Sequence, residues 1–195
     1  KLIFFSILIL FIYLAIVNKS IFEIQLRSII FNVVSILTGT GYVTKEFDQW
    51  GNFPLIFFLL LMFIGGCAGS TTCGIKVFRV HMLYFFLKNQ LLKIIYPRAI
   101  INLKYNNDLV QDKLIASIIS FIYLYIMIFF VISALLTLTG LNFITAVSGA
   151  ASSISNVGPG LGNEIGPNSN YANLPAVSKW ILSTGMILGR LEIFA

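Results

Sequence analysis

Thr38-Gly39-Thr40-Gly41-Tyr42-Val43-Thr44 and Ser155-Asn156-Val157-Gly158-Pro159-Gly160-Leu161-Gly162 decide how the rest of the chain is read, with Gly158 following Gly41 by 117 residues. Each closes a helix-length stretch, about 21–37 and 141–154. The second is rich in small and hydroxyl residues, the first carries Ser28 and Ser35, and both are too short or too polar to cross a bilayer core of about 30 Å. A helix of that kind, broken by a glycine-rich loop, has the form of a re-entrant segment. At the same offset Ser28 meets Thr145, Ser35 meets Ser152, and Ile36-Leu37 meet Ser153-Ile154. Residue identity is sparse, but the order of elements is the same. Such internal duplication is common among membrane transport proteins.

Around the two loops lie four apolar stretches. Residues 2–17 are slightly short for a span and open the chain, so they read as a truncated first span. Residues 53–64 are strongly apolar, break at Gly65-Gly66-Cys67-Ala68-Gly69-Ser70-Thr71-Thr72-Cys73-Gly74, and resume at Ile75. Residues 114–138 carry no charge, and residues 175–195 read as a last span. Neither end looks natural, and the chain is expected to be a piece of a longer protein. No small-residue cleavage site follows residues 2–17, which argues against a signal peptide.

Composition agrees. Of 195 residues 58% are hydrophobic and 10% charged, at a mean hydropathy of +0.93. A soluble domain carries about 25% charge, so a soluble enzyme, a disordered tail and a secreted disulfide scaffold are excluded. So is a nucleic-acid binder, despite the net charge of +6, because polar surface is too scarce. Lys76, Arg79, Lys88, Lys93, Arg98, Lys104 and Lys113 stand against Asp108 and Asp112, leaving this one segment nearly all of the excess. The positive-inside rule makes it cytoplasmic. Both Gly loops then open to the outer face. Cys67 and Cys73, six apart, fit neither a zinc spacing nor a framework and read as reduced packing residues. Asn18-Lys19-Ser20 matches a glycosylation triplet, a pattern frequent by chance.

Irregular backbone at membrane depth is tolerated only inside protein or beside water. A loop there leaves carbonyl oxygens free, and their use is to replace the hydration shell of a cation. Glycine permits the backbone angles that aim successive carbonyls one way. The helix before each loop would turn its negative C-terminal end to the ion. Potassium, large and weakly hydrated, suits such a cage. The competing reading makes each loop a simple turn between interfacial helices.

At these residues the chain resembles a known family. Thr38-Gly39-Thr40-Gly41-Tyr42 is similar to a degenerate potassium-channel filter. Asn156-Val157-Gly158-Pro159-Gly160 resembles the last filter of the Trk/Ktr/HKT potassium transporters. The run from Gly65 to Lys76 resembles that family's broken inner helix in its third repeat. Tyr96-Pro97-Arg98-Ala99 and Gly189-Arg190-Leu191-Glu192 resemble its TrkH branch. The resemblance covers essentially the whole chain. It implies an all-α polytopic membrane protein of repeated outer helix, re-entrant pore helix, filter loop and inner helix units, potassium-channel-like. Residues 1–80 would form one pore repeat, 81–112 a basic cytoplasmic connector, and 113–195 a second repeat truncated in its inner helix. Such a family carries four repeats around one pore, and these would be the third and fourth. By resemblance, too, the complete chain forms a homodimer in the cytoplasmic (inner) membrane, surrounded by lipid, on a cytoplasmic nucleotide-binding regulatory ring.

The residue expectations follow. Gly39, Thr40, Gly41, Asn156, Val157 and Gly158 would hold potassium, the transported ion; no organic cofactor and no other metal is expected. Gly65, Gly66, Gly69, Ser70, Thr71 and Gly74 would form a flexible gate below the filter, against the alternative of close helix packing through small residues. Arg190 lies roughly mid-span, where its charge costs at least about 2.5–3.5 kcal/mol, so it should face a cavity or partner. Its charge would regulate passage in the pore; otherwise it pairs structurally or snorkels. Glu23, Glu46 and Asp48 flank the first outer loop as ordinary solvated charges or as attractors of cations. Trp50, Trp180, Tyr13 and Tyr171 fit interfacial anchors. His81 has no companion ligand. The function read from this is potassium uptake with no chemical step. A membrane-embedded enzyme would need an acidic or His cluster beyond Asp108 and Asp112. A non-conducting scaffold gives no reason for two matched Gly loops.

Overall fold

The computed structural model describes residues 2–17, 22–67, 69–96, 104–105, 108–110 and 112–190. Seven helices account for most of them: α1 (Leu2–Val17), α2 (Phe22–Leu37), α3 (Asn52–Phe63), α4 (Val77–Ile95), α5 (Asp112–Leu138), α6 (Phe143–Ser155) and α7 (Ala176–Arg190). Two pairs of two-residue strands complete them. β1 (Ile64–Gly65) pairs in parallel with β2 (Ile75–Lys76), and β3 (Lys104–Tyr105) pairs antiparallel with β4 (Asp108–Leu109).

Six of the helices pack as two clusters of three, and α4 lies against α5. Leu10 and Leu14 of α1, Ile29, Val33 and Ile36 of α2, and Phe58, Leu61 and Met62 of α3 build the first. Phe121, Tyr125, Ile132 and Leu136 of α5, Ala146, Ala150 and Ile154 of α6, and Leu182 of α7 build the second. The clusters interlock. Val157 and Leu161, which follow α6, are buried in the first cluster. Phe63 at the end of α3 leans on the second, its ring 5.0 Å from that of Phe129.

Each cluster buries its second helix most deeply. In α2 the buried positions Ile29, Asn32, Val33 and Ile36 recur at helical spacing, a single face toward the core. In α6 every residue from Ser148 to Ser155 is buried. Small side chains allow this: a Cβ on Gly149 would sit 3.1 Å from Ile165 Cδ1 and 3.6 Å from Leu182 Cδ2. Small-residue helices pack in membranes through such close approach.

Among the described residues α5 is the one helix long and apolar enough to span a membrane, over Lys113–Leu138 with a mean hydropathy of 2.6. Helices α1, α3 and α6 and residues 26–37 of α2 are shorter and apolar. Four spans were expected from the sequence. Of these, residues 53–64 appear as the 12-residue α3, and α4 takes up the chain after the break. The last stretch is described only to Arg190. Aromatic and aliphatic side chains stand out from the helices: Phe4, Tyr123, Phe130, Leu138, Phe143 and Trp180 are all more than half exposed. Such a surface suits lipid or further protein rather than water.

Candidate functional site

The two Gly loops meet. A Cβ on Gly41 would collide with the Val157 carbonyl oxygen and come within 3.3 Å of Pro159 Cδ. Gly158 approaches Gly41 Cα in return. The six filter candidates Gly39, Thr40, Gly41, Asn156, Val157 and Gly158 therefore form two neighbouring strands of backbone rather than two separate turns.

Their local geometry is the same. Gly39 and Asn156 both take left-handed angles, φ 66° and 52°, and Gly41 and Gly158 also have positive φ, 76° and 109°. Asn is the side chain that tolerates this region best after Gly. The Thr40 amide donates to Ser35 O at 2.9 Å, and the Val157 amide to Ser152 O at 3.1 Å. The Gly39 amide donates to Ile36 O at 3.1 Å, and the Asn156 amide to Ser153 O at 3.2 Å. All of these pairs are related by the offset of 117 read in the sequence. These bonds use carbonyls at the ends of α2 and α6 that the helices themselves leave open.

Each loop is then tied back to its own helix by a buried polar side chain. Asn32 is fully buried, and its Oδ1 accepts from the Thr44 amide at 3.1 Å and from Thr44 Oγ1 at 3.3 Å. Asn32 Nδ2 donates to Lys45 O at 3.4 Å. In the second loop Ser148 Oγ accepts from the Leu161 amide at 3.0 Å and is 3.2 Å from Leu161 O. Thr44 and Leu161 are themselves 117 residues apart. Neither Asn32 nor Ser148 stood out in the sequence. The signal available was a polar residue on an otherwise apolar buried face, which α2 and α6 carry in several places.

The broken segment lies against these strands. α3 stops at Phe63, and the chain leaves through β1 and returns through β2, pairing Ile64 with Ile75 and Gly65 with Lys76. A Cβ on Gly65 would sit 2.5 Å from Cys73 O, so this crossing requires glycine. Inside the excursion Ser70 Oγ and Thr72 Oγ1 are 2.7 Å apart, and Thr72 Oγ1 reaches Thr38 O at 3.5 Å. Arg190 Nη1 donates to Thr71 O at 2.8 Å and lies 3.7 Å from Cys73 Sγ. The partner required for Arg190 is thus the backbone of this loop. Gly65, Gly66, Gly69, Ser70, Thr71 and Gly74 thus belong to one excursion, which Arg190 meets at Thr71 and which reaches the first Gly loop through Thr72. Both cysteines are free, Cys73 buried and Cys67 exposed.

On the outer side, Glu46 Oε1 accepts from Asn168 Nδ2 at 2.8 Å and Glu46 Oε2 from Gln49. Asp48 packs against Gly166, and its Oδ1 is buried with no hydrogen-bond partner among the described residues. Burial raises the Asp48 carboxyl above the ordinary aspartate range. These two acids, expected as solvated charges or cation attractors, thus lie against the outer loop that carries Gly166 and Asn168. A cavity of about 370 Å³ flanks the second strand, lined by Ser152, Asn156, Gly158, Tyr171, Lys179 and Met186 among others. Tyr171, expected as an interfacial anchor, donates its hydroxyl to Gly158 O at 2.6 Å. Among the described residues no three His, Cys, Asp or Glu gather as a metal site. Expectations at Asn18–Ser20, Pro97–Ala99 and Leu191–Glu192, and at the Glu23 side chain, fall outside the described residues.

Comparison with known proteins adds the following. Residues 2–195 match the family described as TrkH, cation transport protein. The Trk system potassium uptake protein TrkI of Halomonas elongata is 41% identical over 87% of this chain and 34% of its own length. The potassium uptake protein TrkH of Escherichia coli is 33% identical over 84% of this chain and 33% of its own. The crystal structure of the potassium transporter TrkH from Vibrio parahaemolyticus superposes with a TM-score of 0.90 at 30% identity, covering 98% of this chain and 41% of that one. The chain spans about a third of the length of the curated relatives it matches. These relatives are named as transporters, not enzymes.

Proposed function

The chain belongs to the TrkH family of cation transport proteins, and from that premise we propose that it supplies two of the strands of a potassium uptake pathway. The observation that carries this reading is the matched pair of loops. Two segments 117 residues apart adopt the same hydrogen-bond pattern and lie against each other at Gly41 and Val157. Surface turns have no reason to share that geometry. Potassium is the cargo, held by carbonyls of Gly39, Thr40, Gly41, Asn156, Val157 and Gly158 in place of its hydration shell. The C-terminal ends of α2 and α6 point their negative dipoles toward it.

Each three-helix cluster is one pore repeat, of outer helix, pore helix and inner helix, with the basic connector on the cytoplasmic side. A closed ring needs more strands than the two here, so conduction belongs to the complete chain, set in the inner membrane. By family resemblance that chain is a homodimer on a cytoplasmic nucleotide-binding ring. The excursion from Gly65 to Gly74 is the gate. Its Thr72 sits under the first filter strand, and Arg190 holds its Thr71 carbonyl. With that latch made, polar loop and positive charge occupy the path below the filter; with it released, the path clears.

The test is potassium uptake by the complete parent protein in transport-deficient cells, comparing wild type with Gly158→Ser. Gly158 has φ 109°, a region that side chains rarely adopt, beside the first strand. Uptake should collapse, or lose its preference over sodium, at normal membrane abundance. Uptake and preference equal to wild type would remove Gly158 from the filter.

A further inference from the structure

We infer that Tyr171 is a positioning residue for ion selection, fixing the Gly158 carbonyl at the mouth of the second filter strand through its hydroxyl. The inference rests on the reading of Gly158 as a filter residue and adds a side chain that this reading does not use.

The need for such a side chain follows from the peptide it touches. An ordinary peptide plane is held at both ends, by its carbonyl and by its amide hydrogen. The Gly158–Pro159 peptide has no amide hydrogen. Its carbonyl is the only hydrogen-bonding handle on the plane. On one side of that plane stands a glycine, free to rotate about its own backbone bonds. A carbonyl so placed turns easily, and a turned carbonyl neither faces an ion nor excludes a smaller one. Tyr171 Oη donates to this oxygen at 2.6 Å. A carbonyl oxygen has two lone pairs, so the phenol fixes the direction of the group and leaves one for an ion.

The donor is itself held. Tyr171 opens a short 3₁₀ turn, Tyr171–Asn173, capped by Asn170 Oδ1, which accepts from the Ala172 amide at 3.0 Å. Lys179 Nζ donates to Ala172 O at 2.6 Å and ties the turn to α7. The ring packs on the second cluster. On the other side of Gly158, its amide donates to Ser152 Oγ at 3.1 Å. Gly158 is therefore gripped by one hydroxyl at each end. A phenol is protonated at neutral pH and able to donate, and burial pushes that of Tyr171 higher still, against the lowering effect of the Ser152 hydroxyl beside it.

The first strand lacks this grip. Position 54, which stands 117 residues before Tyr171, is Pro54, with no hydroxyl. Ser35, the counterpart of Ser152, has a buried hydroxyl with no hydrogen-bond partner among the described residues. The peptide after Gly41 keeps its own amide hydrogen, on Tyr42. The restraint sits on the strand whose sequence removes the usual one.

The experiment measures potassium and sodium uptake by the complete parent protein, as wild type, Tyr171→Phe, Tyr171→Leu and Gly158→Ser, on membranes of known protein content. Tyr171→Phe keeps the ring and removes only the donor. Its preference for potassium over sodium should fall by about two- to tenfold, the factor a single hydrogen bond commands. The loss should come from a raised KM for potassium and weaker discrimination, with the maximal rate largely kept. Preference is a ratio taken on the same membranes, so it reads out even where abundance falls. Tyr171→Leu should lose at least as much preference. A Phe variant with wild-type preference, beside a Gly158→Ser variant that loses it, overturns the role of the hydroxyl and leaves the ring as packing. Unchanged preference in Gly158→Ser overturns the filter reading itself, and this inference with it.

Discussion

Gly189 shows how far a single hydrogen atom decides the packing. A Cβ there would run into the Ile154 carbonyl and its backbone, so α7 can lie on α6 only with no side chain at that position. Gly189→Ala should therefore force the helices apart and cost at least the roughly 1–3 kcal/mol of an overpacked core. Lower abundance and a lower melting temperature in detergent would show it; wild-type values for both would mean that the contact is not made. Gly41 and Gly158 stood out beforehand, because glycine in a break between apolar stretches has few uses. Asn32, Ser148 and Tyr171 were not. Each acts on a backbone group 12 to 13 residues away, and sequence carries no mark of which amide or carbonyl a folded-back loop will present.

Among elements, the break after α3 is the one whose position the sequence announced and whose form it did not. Four glycines among ten residues exclude a continuous helix. Two-residue strands, however, have no periodicity to read, so the parallel pairing of β1 with β2 came only with coordinates. The same holds for Arg190. Its expense in a membrane foretold a partner, and the partner proved to be a carbonyl in the loop, which any residue type could have supplied. Arg190→Gln should loosen this loop, since hydrogen bonds to charged groups are worth about 1.5–3 kcal/mol. Uptake at saturating potassium should rise, with the potassium-over-sodium preference unchanged. A fall in maximal uptake at normal abundance would turn the latch reading around.

For the whole molecule, the 117-residue offset that relates the two Gly loops was readable from spacing, but their contact at Gly41 and Val157 was not. Which apolar faces meet lipid and which meet further protein was not, because both demand the same side chains. The outer loops carry a further test. Glu46 and Asp48 of the first approach Asn168 and Gly166 of the second. Burial raises the Asp48 carboxyl, so folding favours its protonated form. The stability from this group is present below the ordinary aspartate range, about pH 4, and is lost as pH rises through the shifted value. Asp48→Asn stays neutral throughout. Its melting temperature should match wild type near about pH 4 and exceed it increasingly toward about pH 7; a gap that ignores pH would show that the carboxylate carries no burial cost. A last consequence lies in how β1 meets β2. Ile64 and Ile75 sit on adjacent strands, whose spacing is about 4.8 Å. The residues between them carry the chain almost nowhere. They make a detour that starts and finishes at one place, so α3 and α4 are spliced as if it did not exist. Such a segment has slack: once its bonds to Thr38 and Arg190 are released, it can be reshaped while the joint beneath it stays shut.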